Sequence, residues 1–191
     1  MADRRAVRTR AALERSFNEI FLTEGFEKVT PGRVAEAAEV GRSTFYEHFS
    51  GREELLEKRL LRVLQPLGQA VRSEAVPEGL EPILDHFWTN RLIVRSLLAG
   101  RPREVTMRAL TALIEEQFPR RRTTSAVPTR LIAAQIAGGQ LGLLEEWLSG
   151  RHRCSTSNLA RALAASARAI AGALGADPAQ DPVWTLRAPS A

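Results

Sequence analysis

Apolar residues recur along this chain at spacings of three and four, and proline and glycine cut that pattern into blocks. Residues 4–24 place Val7, Ala11, Ala12, Phe17, Ile20 and Phe21 on one helical face, and Gly25 ends the block. Thr30-Pro31 reads as an N-cap followed by a first helical residue. It starts a short second helix over 31–38 with Val34, Ala35 and Ala38 inward. Glu39-Val40-Gly41 forms a three-residue turn into a third helix over 42–48. Ser50, with Glu53 three residues on, reads as a capping box for a fourth helix over about 51–75. Its buried stripe is Leu55, Leu56, Leu60, Leu61 and Leu64. Further helices are predicted over 79–99, 103–118, 129–149 and 156–174. Gly100-Arg101-Pro102, Pro119 and a basic loop over 120–128 separate them. No segment alternates with period two, so the chain is expected to be all-α. Residues 176–191 are proline-rich and aperiodic, and are expected to be extended or disordered.

Two short helices joined by a three-residue turn make a helix-turn-helix. Val40, Phe45 and Phe49 can point inward, because 45 and 49 are one helical step apart. Arg42, Ser43, Thr44, Tyr46, Glu47 and His48 are then left outside or on the flank. A helix fits the major groove of DNA, and its first turn offers free N–H groups to a phosphate. The 191 residues carry a net charge of +5, but residues 1–50 hold eight basic and eight acidic side chains. Bulk charge therefore does not mark this end as a DNA binder, and the case rests on where single side chains point. The surplus lies over residues 91–130, with nine arginines and three glutamates.

The stretch "TPGRVAEAAEVGRSTFYEHFSGREELLEKRL" (30–60) resembles the DNA-binding domain of the TetR (TetR/AcrR-like) family of transcriptional regulators. The resemblance spans residues 5–65, and its Thr-Phe-Tyr-x-His-Phe string sits in the predicted recognition helix. It implies a helix-turn-helix DNA-binding domain over 1–50, a larger helical effector-binding and dimerisation domain over 51–175, and a tail over 176–191. It implies a ligand-responsive regulator, a repressor, that binds a palindromic operator as a homodimer and is released by a small-molecule effector. Carried over residue by residue, Thr30 caps the second helix and meets a phosphate, and Arg33 contacts base or phosphate. Arg42, Ser43 and Thr44 open the recognition helix toward base edges. Tyr46 and His48 fix depth on the backbone, and Arg52 stands where the family has lysine. Two positions depart from the pattern. Glu39 replaces the family's turn glycine, and Gly41 replaces its capping serine. A left-handed Glu39 costs roughly 1 kcal/mol relative to glycine.

An operator with two half-sites calls for a two-fold dimer. In the last two helices Ala134, Gly138 and Gly142 recur at steps of four beside Leu141, and Leu159, Leu163, Ala167 and Ile170 share a register. Small residues let helices approach closely, so these are candidates for a four-helix dimer interface. The family also implies a ligand cavity, with Phe87, Trp88, Arg91, Met107, Leu110, Phe118, Gln140 and Trp147 as candidate lining. Arg91 and Gln140 would be its polar anchors.

Other classes are disfavoured. His152-x-Cys154 offers too few ligands for structural zinc, and no phosphate-binding glycine loop or nucleophile elbow is present. No enzyme activity, cofactor or metal is expected. No apolar run of membrane-spanning length and no secretory leader is read, and Cys154 is the single cysteine. A cytoplasmic protein is the expectation.

Overall fold

The computed structural model of the chain describes residues 2–72, 75–118 and 127–174. Most of the predicted basic loop and the whole predicted tail lie outside the described residues. Among the described residues there are ten α-helices, one 3-10 turn and no strand, so the chain is all-α. The described residues fall into two compact units, one within 1–62 and 90–106 and the other within 63–89 and 107–174. The expected division at 50/51 differs from this, because residues 51–62 and 90–106 associate with the first unit.

In the first unit α1 (Ala2–Glu24) is followed by the 3-10 turn Phe26–Lys28, α2 (Pro31–Ala37), α3 (Arg42–His48) and α4 (Arg52–Val63). Gly25 ends α1 at φ 85°, a left-handed conformation that a side chain would disfavour. The core is Leu13, Phe17, Ile20, Phe21, Phe26, Val29, Val34, Phe45, Phe49, Leu55, Leu56 and Leu60. Val7 and Ala11, expected on the inward face of α1, are exposed, and burial along this helix begins at Leu13. Phe17 and Phe21 stack with ring centroids 5.9 Å apart, one helical step from each other.

The start of α4 differs in detail from the expected capping box. Ser50 donates from N (2.7 Å) and Oγ (2.9 Å) to Glu54, not to Glu53. Lys58 Nζ donates to the same carboxylate at 2.5 Å. These donors, led by Lys58, lower the Glu54 carboxyl to about 2. A carboxyl whose folded pKa is depressed adds stability above its unfolded pKa and loses it as pH falls through the folded value. Wild-type protein should therefore lose stability as pH drops from about 4.5 toward 2. The Glu54→Gln variant should show a shallower loss over that window in urea melts. Equal pH slopes would contradict the assignment.

The long fourth helix expected over 51–75 is interrupted. α4 stops at Val63, and a separate α5 (Gln65–Gln69) carries Pro66 in its first turn. Proline has no N–H to donate and clashes with the carbonyl four residues back, so it starts a helix rather than continuing one. The helix expected over 79–99 also divides, into α6 (Leu80–Thr89) and α7 (Arg91–Ser96). Thr89 Oγ1 donates back to Asp85 O at 2.9 Å, and Asn90 leaves helical geometry at φ −105°, ψ 27°. α8 (Gly100–Glu115) begins earlier than predicted, because Pro102 falls in its first turn, where no N–H is required.

In the second unit α9 (Thr129–Leu148) and α10 (Thr156–Ala173) pack against each other, and α10 also lies against α6. Ser155 caps α10 by accepting from Asn158 N at 3.2 Å. Gly68 on α5 abuts Leu113 so closely that an added Cβ would lie 2.8 Å from the Leu113 Cβ and 3.2 Å from its carbonyl carbon.

Candidate nucleic-acid interface

α2, the turn and α3 form the predicted helix-turn-helix, and each residue in it has a local cause. Thr30 Oγ1 accepts from Arg33 N at 3.3 Å, which makes it the N-cap of α2. Glu39 adopts φ 55°, the left-handed turn geometry that a glycine would take more easily. Gly41 caps α3 without any side-chain hydrogen bond. Phe45 and Phe49 anchor α3 inward with rings 5.9 Å apart, and Val40 is only half-buried. Arg10 and Lys58 lie 5.5 and 4.6 Å from the centroid of the Phe49 ring, so two cations and an aromatic face fix the end of α3.

The outer face of α3 is polar. Arg42, Ser43, Tyr46 and Glu47 are exposed, while Thr44 and His48 are half-buried. Tyr46 is 49% exposed, with its ring edge-on to Phe45 and the Arg42 guanidinium 5.8 Å from its centroid. Thr44, Glu47 and His48 also border a cleft of about 740 Å³ together with Arg5 and Thr9 of α1. Sequence reading did not identify Arg5 and Thr9, because nothing local links them to a helix that starts 33 or more positions away.

Two expected contacts are already occupied. Arg33 makes a bidentate pair with Glu24 at 2.6 and 3.0 Å and donates to Lys28 O at 3.0 Å. This pairing holds the Glu24 carboxyl below its ordinary range and raises the Arg33 guanidinium. Arg33 therefore ties α2 to the end of α1 instead of presenting a free outer cation. Arg52, expected to be exposed, donates to Phe26 O and Val29 O at 3.2 and 3.0 Å, with its guanidinium 4.5 Å from the Phe26 centroid. It fastens α4 to the 3-10 turn. Arg52→Met removes the donor to Val29 O and one of the two donors to Phe26 O, which keeps Val29 N, and should cost about 2 kcal/mol in urea unfolding. Unchanged stability would return Arg52 to the surface role.

Among the described residues the candidate effector side chains fall in different surroundings. Phe87, Leu110, Phe118 and Trp147 are buried. Trp88 is 38% exposed and meets Trp147 at 5.0 Å between ring centroids. Trp147 Nε1 donates to Cys154 O at 3.0 Å, and the two indoles border a cleft of about 600 Å³ beside Arg153. Gln140 is buried, donates Nε2 to Leu67 O at 3.2 Å and leaves Oε1 without a partner. Met107 is half-buried, 3.4 Å from where a Cβ on Gly138 would lie. Arg91 is exposed and belongs to the first unit.

Of the candidate dimer residues, Leu141, Leu159, Leu163 and Ala167 are buried within the single chain, where α9 and α10 pack together. Ala134, Gly138, Gly142 and Ile170 are half-buried. The open faces are instead Leu131, Gly139 and Leu143 on α9, and Ala162, Ala165 and Ala169 on α10. Helical periodicity shows that a stripe is buried but not what covers it.

Among the described residues no helix is long and apolar enough to cross a membrane.

Residues 18–58 match the family described as bacterial regulatory proteins, tetR family. The chain is 42% identical over 55 residues to the HTH-type transcriptional regulator TcmR of Streptomyces glaucescens. That stretch covers 29% of this chain and 24% of TcmR, so the chain matches about a quarter of its relative's length. The fold is similar to that of a TetR transcriptional regulator from Streptococcus agalactiae 2603V, with TM-score 0.58 and 24% identity, covering 87% of this chain and 97% of that one. It is also similar to Thermus thermophilus FadR, a TetR-family transcriptional repressor in complex with lauroyl-CoA, with TM-score 0.52 and 20% identity, covering 95% and 97% of the two chains. The cap at Thr30, the turn through Glu39 and the aromatic anchors of α3 all fall within the matched segment. Residues 18–58 thus carry the helix-turn-helix domain of the tetR family of bacterial regulatory proteins.

Proposed function

We propose that this chain is a ligand-responsive transcriptional repressor that binds a palindromic DNA operator as a homodimer and does no catalysis. The observation that carries this reading is the α3 surface. Phe45 and Phe49 fix one side in the core, so Arg42, Ser43, Thr44 and Tyr46 stand together on the other. Such a face suits base edges and phosphates in a major groove. His48 lies at the end of the same helix, and Thr30 is already engaged as the cap of α2. Two copies would associate through the open α9 and α10 faces, where Gly139, Ala162, Ala165 and Ala169 permit close helix approach. An effector can alter operator affinity only by binding two conformations unequally. The Trp88–Trp147 cleft and the unpartnered Gln140 Oε1 are two places among the described residues of the second unit that could receive one.

Duplex binding followed across salt concentrations tests the DNA reading, because phosphate contacts weaken log-linearly as salt rises. Tyr46→Ala should weaken that binding by about tenfold, roughly 1.4 kcal/mol, with stability within about 0.5 kcal/mol of wild type. Full affinity in the variant would mean that this face does not touch DNA. Protein that binds DNA as strongly at high salt as at low salt would contradict the reading altogether.

A further inference from the structure

We propose that the first three turns of α1 form a basic arm, Arg4, Arg5 and Arg8, that grips the phosphate backbone of duplex DNA beside α3. This rests on the reading of α3 as the DNA-contacting helix. Six arginines of the first unit are held by carboxylates, carbonyls or an amide of their own chain. Arg10 pairs with Glu14, Arg33 with Glu24, Arg62 with Glu14 and Arg101 with Glu53. Arg52 donates to two carbonyls, and Arg59 donates to Asn18. Arg4, Arg5 and Arg8 are all exposed and have no acidic partner among the described residues.

Their position makes the lack of partners informative. α1 starts at Ala2, and the positive end of a helix dipole disfavours cations such as Arg4 and Arg5 near its first turn. Nor does packing explain the segment. The first buried core residue is Leu13, and Val7 is 60% exposed, so residues 2–12 extend for about 16 Å without contributing to the core. Charges unfavourable to the helix, on a segment unneeded by the core, point to an anionic partner outside the chain.

The arm's location indicates which partner. Arg5 and Thr9 border the same cleft as Gly41, Thr44 and His48 at the start and flank of α3. Glu39 and Glu47 border it too and would repel a phosphate from the cleft itself. Phosphates are then met by the arginine heads along α1, while α3 lies in the groove. A duplex offers both at once, because the phosphate backbone runs along the edge of the groove that a helix enters. The arm precedes the segment matched to the family, which starts at residue 18.

The test uses the full chain, a mixed-sequence duplex and salt between about 50 and 200 mM. Replacing Arg4, Arg5 and Arg8 together by Ala should reduce the slope of log affinity against log salt by about 0.9 for each phosphate no longer neutralised, up to about 2.7 per protomer. The triple Lys variant should restore the slope, since a phosphate is met by charge. The triple Ala variant should melt no lower than wild type, because it removes cations from a helix start. A control lacking Arg72, Arg130 and Arg161 of the second unit loses the same formal charge and should keep the wild-type slope. An unchanged slope in the arm variant overturns the proposal. So does an equal loss in the control, or a lowered melting temperature with the slope intact. If wild type binds salt-sensitively and the arm variant matches it, the arm alone is wrong. If wild type retains no duplex, both the arm and the DNA reading of α3 fall.

Discussion

Phe45→Ala should unfold the first unit while leaving the second folded. Phe45 is fully buried, lies 5.9 Å from Phe49 and anchors α3, which has only seven residues and cannot persist alone. Truncating a buried Phe costs about 3–5 kcal/mol, which is most of what a small helical unit has available. Trp88 and Trp147 lie in the second unit, so in a Trp184→Phe background tryptophan fluorescence reports on that unit. The expected result is a partial loss of helical circular dichroism at neutral pH without denaturant, with the tryptophan emission and its urea midpoint unchanged. Duplex binding should disappear with the lost helicity. A variant with full helicity and a wild-type urea profile would show that the α3 anchor is misassigned.

Gly68→Val should have the opposite signature. Even the first carbon of a side chain at this site would lie 2.8 Å from the Leu113 Cβ and 3.2 Å from the Leu113 carbonyl carbon. Backbone on the far side cannot rotate away as a flexible side-chain end could, so α5 must move away from α8. Overpacking of this kind costs about 3 kcal/mol. Separation also threatens the bond from Gln140 Nε2 to Leu67 O, next to the substituted position. The tryptophan-detected urea midpoint should fall, while the α3 unit keeps its own transition. Wild-type stability in this variant would mean that α5 and α8 are less closely apposed than the structure places them.

What was legible in the sequence divides by the range of the signal. Gly25, Thr30-Pro31 and the four-residue spacing of Phe45 and Phe49 act within one or two turns, and α3 falls on the predicted 42–48. The Glu39 departure was readable for the same reason, and it does adopt the left-handed conformation. Pro66 is also a local signal, but the leucine stripe running through it suggested a continuous helix, and the proline prevailed. The fates of Arg33 and Arg52 were not legible. Their partners stand 9 and 23 to 26 positions earlier, and only the folded chain brings them together. Burial of Leu141, Leu159 and Leu163 was foreseeable, but an apolar stripe against the same chain reads the same as one against a second copy.

The central claim is that the exposed face of α3 reads DNA from a two-fold protein. Selecting bound duplexes from a random pool with the purified full chain, then sequencing them, tests both parts at once. The account predicts an enriched palindrome whose half-sites lie about 34–36 Å apart, one helical turn, or a multiple of that. A bound pool with no enriched sequence, or a single unrepeated site, would contradict it.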